Sequence, residues 1–173
     1  MQNQKTEAKT SETMTIATSR LGEVEVSTQK IIHLPQGVLG FPAHRNFVLL
    51  VHKPDSPFSW FQSVDDPELA FIVMNPQLVI PDYSVDLTKE DCQALRLQGE
   101  EPLAVYGLVT IPRGNPAEMT INLLGPLVIN TAVGVGKQVV MSGSNYSHRH
   151  PVLGSGSDSG QKAASSREQA AGS

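Results

Sequence analysis

Residues 57–74 read PFSWFQSVDDPELAFIVM, and this stretch sets the character of the chain. Its two runs, PFSWFQS at 57–63 and AFIVM at 70–74, are rich in aromatic and β-branched side chains, which suit a pleated, half-buried surface. A polar segment containing Pro67 separates them. The same succession of short apolar runs and turn residues extends in both directions. Upstream, Glu23-Val24-Glu25-Val26 alternates polar and apolar side chains, as a half-buried strand does. Thr28 to Leu34 reads as a further β run ending at Pro35, and Phe47 to Val51 is a clean apolar stretch. Between them lies a loop with Gly37, Gly40 and Pro42. Downstream come LAVYGLVTI at 103–111, MTINLL at 119–124, PLVIN at 126–130 and KQVVM at 137–141. This spacing predicts an all-β, mostly antiparallel domain, either a small barrel or a sandwich, with one or two short helices.

Residues 86–97 break the β pattern. Thr88 suits a helix N-cap, Glu90 and Asp91 suit the positive end of the helix dipole, and Gly99 is a plausible stop. One such segment is too little helix for an alternating βαβ fold.

The chain has 173 residues, with 14 glycines, 12 prolines and 17% charged side chains. The size suits one domain with tails. Residues 1–13 and 154–173 are polar or small-residue segments without the apolar surface needed to offset ordering entropy, so they are expected to be disordered around a domain at 14–153. No run of about 18 apolar residues predicts a membrane span. The first residues have no apolar signal core, and the single Cys92 gives no internal disulfide; both suit a cytoplasmic protein. A net charge of −4 disfavours direct nucleic-acid binding.

Several motifs carry no chemistry on inspection. Val133-Gly134-Val135-Gly136-Lys137-Gln138 has Thr131 where a phosphate loop opens with glycine, and Gln138 where it needs a hydroxyl; it reads as a hairpin turn. His148 and His150 lack further ligands for a metal, and Cys92 has no evident histidine partner and reads as a small buried side chain. Asn75, Pro76, Asn122 and Asn130 sit at turns, where asparagine bonds its own backbone. No enzyme, cofactor or metal site is predicted.

Charge distribution is more informative. Between residues 65 and 101 nine acids face two bases, a net −7 that leaves the rest of the chain at +3. A field of this kind either steers a basic partner or only keeps the surface solvated. In Phe58-Ser59-Trp60-Phe61, alternation puts Phe58 and Trp60 on one face and Phe61 on the other, so one of the two faces is core and the other is core or a binding surface.

In their order and spacing, a series of segments resembles the flagellar assembly factor FliW family. They are Gly22 to Val26, GVLGFPAHRNFVLL at 37–50, PFSWFQSVDDPELAFIVMNP at 57–76, Tyr83, AVYGLVTIP at 104–112, MTINLLGPLVIN at 119–130, Gly136 to Val140 and Tyr146 to Pro151. The likeness covers about residues 15–153. It implies a mostly β, barrel-like cytoplasmic regulator with no catalytic role. Such a protein binds CsrA, the basic translational repressor of flagellin mRNA, relieves that repression, and is itself sequestered by flagellin. The alternative it leaves is a flagellin chaperone with little or no CsrA role. Asp65, Asp66, Glu68, Asp82 and Asp86 are expected on the CsrA-facing side, Phe58 and Trp60 on a partner-binding surface, and the free protein is expected to be monomeric.

Overall fold

A computed structural model describes residues 12–51 and 53–153. The expected tails therefore lie outside the described residues, apart from Glu12 and Thr13. Ten strands form in order: β1 (Thr13–Thr18), β2 (Gly22–Ser27), β3 (Ile32–His33), β4 (Asn46–Val51), β5 (Phe58–Ser63), β6 (Ala70–Met74), β7 (Leu103–Thr110), β8 (Thr120–Asn130), β9 (Val135–Gln138) and β10 (His150–Pro151). One short helix, α1 (Lys89–Ala94), interrupts them. β1 and β2 form a separate hairpin. Strands β3 to β9 run in the order β8-β7-β6-β5-β4-β3-β9, and β9 pairs back onto β8, so seven strands close into a ring. Every contact in the ring is antiparallel except β3 with β9, which is parallel. Of the two architectures left open by the sequence, the structure is the barrel.

Strand periodicity sends alternate side chains to opposite faces, and here both faces are covered. Phe47, Phe61, Val73, Leu127 and Ile129 fill the barrel interior, with Leu34 and Val38 from the loop side. Phe47 and Phe61 stack with ring centroids 4.6 Å apart and planes 4° from parallel. Each such fully buried side chain contributes about 1.5–3 kcal/mol. On the outside, Val48 and Leu50 of β4 pack under the β1–β2 hairpin with Ile16 and Val26. A second outer layer joins Met74, Val109, Ile121, Leu123 and Val128 to Tyr83 and Leu95, and to Val139 and Met141. The 28-residue connection between β6 and β7 thus lies as a strap over the barrel wall.

Three sequence expectations are corrected. Thr28 to Leu34 is not one strand: Thr28–Lys30 forms a 3-10 turn capped by the Ser27 hydroxyl, and only Ile32–His33 pairs. The runs 119–124 and 126–130 are one long strand, because the Asn122 side chain accepts hydrogen bonds from the Leu124 and Gly125 N–H groups and folds a bulge into β8. Register with β7 shifts there, between Tyr106 and Leu108. The helix does not run to Gly99; it ends after Ala94, and Arg96 takes a positive φ of 57°. Leu95 is fully buried, and that anchor turns the chain early. The β1 and β10 strands were not foreseen.

Polar bonds fasten the strap. The Tyr83 hydroxyl donates to the Leu123 carbonyl at 2.7 Å, and Asn130 Nδ2 donates to the Leu95 carbonyl at 2.9 Å. Thr88 and Asp91 complete a capping box on α1. Lys137 Nζ on β9 bonds Asp91 Oδ1 at 2.6 Å. Burial pushes the Asp91 carboxyl up, but the Lys137 ammonium and the Thr88 hydroxyl and N–H outweigh it, and its pKa lies below the ordinary 3.8.

Two consequences are measurable. Lys137→Met leaves the Asp91 carboxylate without its cation and is expected to cost about 2–4 kcal/mol in urea unfolding, somewhat less than a fully buried pair because Lys137 keeps some solvent. The wild-type contribution is complete above the ordinary carboxyl value and disappears as pH falls through the lower folded-state value, so the difference between wild type and Lys137→Met should shrink in acid. Separately, a Cβ on Gly107 would lie 2.4 Å from Ile121 Cδ1 and 2.5 Å from Ile121 Cγ1. Gly107→Ala is therefore expected to lower stability by about 1–3 kcal/mol in the same assay.

Candidate functional site

The acidic segment is divided by β6. Asp65, Asp66 and Glu68 lie in the β5–β6 turn, at one end of β6, while Asp82 and Asp86 lie on the strap that leaves its other end. The five carboxylates thus form two clusters, not one continuous face. The first cluster is built from the inside. Gln62, 1% exposed, donates from Nε2 toward the carbonyls of Ser63, Asp66 and Leu69 at 3.0–3.1 Å. The Ser63 hydroxyl accepts from the N–H groups of Asp65 and Asp66. These bonds hold the turn so that the Asp65 and Glu68 side chains stay exposed. Asp66 is partly engaged: one carboxylate oxygen accepts from the Glu68 N–H, and the other is 3.5 Å from His44 Nε2. The tip of the β1–β2 hairpin abuts this turn, with the Ser19 N–H donating to the Pro67 carbonyl at 2.9 Å.

The second cluster borders a groove of about 490 Å³ between the strap and the start of β7. Tyr83, Val85 and Leu87 form one wall, and Leu103, Val105 and Tyr106 the other. Asp82 and Asp86 are exposed on either side of Tyr83 and Val85. Burial raises the phenol pKa of Tyr106. Burial also raises that of Tyr83, with a further push from the neighbouring Tyr146. Both phenols are thus neutral at ordinary pH, and the charge of this region comes from its carboxylates. Sequence reasoning did not identify this groove. The signal was present in the lengths of the two runs: β7 is eight residues and β6 five, so β6 cannot cover the whole edge of β7.

The aromatic run divides as alternation predicts. Phe61 is fully buried in the barrel, whereas Phe58 and Trp60 are half-buried on the outer face. Trp60 packs with the hairpin layer, and the Arg20 guanidinium lies 4.9 Å from its ring centroid. Phe58, Trp60, Ile72 and Ile111 line a shallow apolar hollow of about 230 Å³ with Lys53 at its edge.

The remaining residues singled out in the sequence have structural positions. Residues 131–134 form the turn between β8 and β9, with a positive φ at Gly134. Asn75 caps a 3-10 turn at Pro76–Leu78, and Asn130 accepts from the Ala132 N–H as well as bonding Leu95. Cys92 is half-buried on α1 rather than fully enclosed. His150 lies in β10, where burial lowers its pKa. Among the described residues, no group of three or more His, Cys, Asp or Glu is arranged to hold a metal ion, and no helix is long and apolar enough to cross a membrane.

Comparison with known proteins gives a consistent result. The FliW protein family matches residues 15–152. The flagellar assembly factor FliW of Geotalea uraniireducens is 40% identical over 140 residues, covering 81% of this chain and 85% of its own length. That of Magnetococcus marinus is 41% identical with the same coverage. A crystal structure of a flagellar assembly factor FliW superposes with a TM-score of 0.75 at 34% identity, covering 82% of this chain and 98% of that one. With a seven-stranded barrel, a clipped strap and a family match that spans nearly all the described residues, this chain belongs to the FliW family of flagellar assembly factors.

Proposed function

We propose that this protein is a cytoplasmic regulator of flagellar assembly that binds CsrA and antagonises its repression of flagellin mRNA. Flagellin accumulating before export occupies the protein and leaves CsrA free; export releases it to bind CsrA. The action is one of binding, by a monomer, through a single β domain at about residues 14–153, without catalysis and without direct nucleic-acid contact. Family membership across residues 15–152 is the observation that carries this reading. The two carboxylate clusters support it, because a basic RNA-binding partner is steered by acidic surface. Asp65, Asp66, Glu68, Asp82 and Asp86 are the residues assigned to the CsrA side. The hollow beside Phe58 and Trp60 favours a second reading, a flagellin chaperone with little CsrA role, since a chaperone shields apolar polymerising surface.

Calorimetric titration with CsrA from the same organism, at low and high salt and with flagellin present, separates the two readings. Antagonism predicts salt-sensitive CsrA binding that flagellin abolishes. Flagellin binding without CsrA binding gives the chaperone. Because the carboxylates form two clusters, paired reversals locate the contact: Asp65→Lys with Glu68→Lys, or Asp82→Lys with Asp86→Lys, should each weaken CsrA by about tenfold or more and flatten its salt dependence if that cluster takes part. A folded variant reversed at both clusters that binds CsrA unchanged removes the acidic surface from the mechanism.

A further inference from the structure

The first four residues of β7 have no strand on their β6 side. β6 ends at Met74, opposite Gly107, whereas β7 begins at Leu103. On the other edge, Leu103 to Tyr106 pair in register with Asn130 to Leu127 of β8. The Thr131 N–H donates to the Pro102 carbonyl at 3.1 Å, which makes that pair a hydrogen-bonded one. Antiparallel alternation then directs the backbone groups of Ala104 and Tyr106 toward β8 and those of Leu103 and Val105 away from it. Among the described residues, no group outside the strands bonds the Leu103 or Val105 backbone.

This open edge faces the 490 Å³ groove beneath the strap. Val105 lies on the outer face there, beside Val128, Tyr83 and Val85, so the groove is apolar where an alternate side chain of an added strand would fall. Its surroundings are acidic. Residues 75–106 hold six acids and two bases. Asp82, Asp86 and Glu100 are exposed, while Asp91 is already paired with Lys137. An unpaired strand edge is a template for another chain, and main-chain bonding with side-chain pockets is a common mode of peptide capture.

We propose that the edge of β7 at Leu103–Val105 is a docking site for an extended peptide segment of a partner protein, which adds a strand to the barrel, seats an apolar side chain against Val105 and carries Lys or Arg at its flanks. This rests on the reading of the protein as a factor that works by binding other proteins. The acidic surround selects the flanks, and the missing strand selects the extended conformation. The C-terminal segment outside the described residues is a poor occupant by composition: residues 154–173 contain no large apolar side chain to fill the groove.

Residue-resolved amide hydrogen exchange on the full chain tests it. In the free protein the Val105 N–H should exchange rapidly while those of Ala104 and Tyr106 are protected. A blocked pentapeptide, Lys-Val-Thr-Val-Lys, at millimolar concentration should slow Val105 exchange by about tenfold or more. The same peptide with Glu for Lys, or with Pro for the central Thr, should not, and Asp82→Lys with Asp86→Lys should abolish the effect. A Val105 N–H already protected in the free chain, no slowing by the Lys peptide, or equal slowing by the Glu peptide each overturns the proposal. The readout does not involve CsrA or flagellin. A failed peptide with intact CsrA titration removes the edge site alone, and a protecting peptide with neither partner bound removes the regulatory reading alone.

Discussion

Closure of the barrel through one short parallel contact is the constraint on which the rest of the structure depends. β3 is two residues long, and its His33 pairs with Val135 of β9. The His33 N–H donates to the Gly134 carbonyl at 2.8 Å. Without that contact the sheet would be an open one with β3 and β9 as its edges. With it, the phenylalanines of β4 and β5 face the aliphatic residues of β8 across an enclosed interior. Closure also puts the outer faces of the same strands in contact with solvent unless something covers them. The β1–β2 hairpin covers one side, and the β6–β7 strap covers another.

The strap is where structure and candidate function meet. It is fastened at Tyr83, Asp91 and Leu95, to three different places on β8 and β9. Between those anchors Val85 and Leu87 pack on the outer layer and, with the start of β7, line the groove. The acidic turn between β5 and β6 is shaped by different means: one buried amide, Gln62, supplies donors to successive carbonyls so that a tight, charged turn keeps its form. In both places buried polar groups hold exposed charge in position.

Much of the fold is legible in the sequence alone. The run at 23–26 corresponds to a strand because its alternation matches a half-buried pleat, and those at 47–51, 58–63, 70–74 and 103–110 do because apolar, β-branched and aromatic side chains suit a sheet covered on both faces. The Thr88 cap was legible because its hydroxyl acts within one helical turn. Less local features were not. The bulge at Asn122–Gly125 looked like a turn between two strands, since only pairing to β7 and β9 shows that the chain continues in one sheet. Helix termination at Leu95 depends on burial against residues far away in sequence. The acidic residues read as one cluster because they are near each other along the chain; five residues of extended strand put them at opposite ends.

The sequence by itself determined the all-β class, the family, the acidic character of residues 65–101 and the division of Phe58 and Trp60 from Phe61. Each depends on residue type and short-range periodicity, which operate over a few neighbouring positions. Only the tertiary structure decided that the sheet closes into a barrel, that the carboxylates form two clusters, that Asp91 is held by Lys137, and that the first residues of β7 lack a strand neighbour. Those features arise from pairings between residues tens of positions apart, whose register is set by the packing of both sheet faces together.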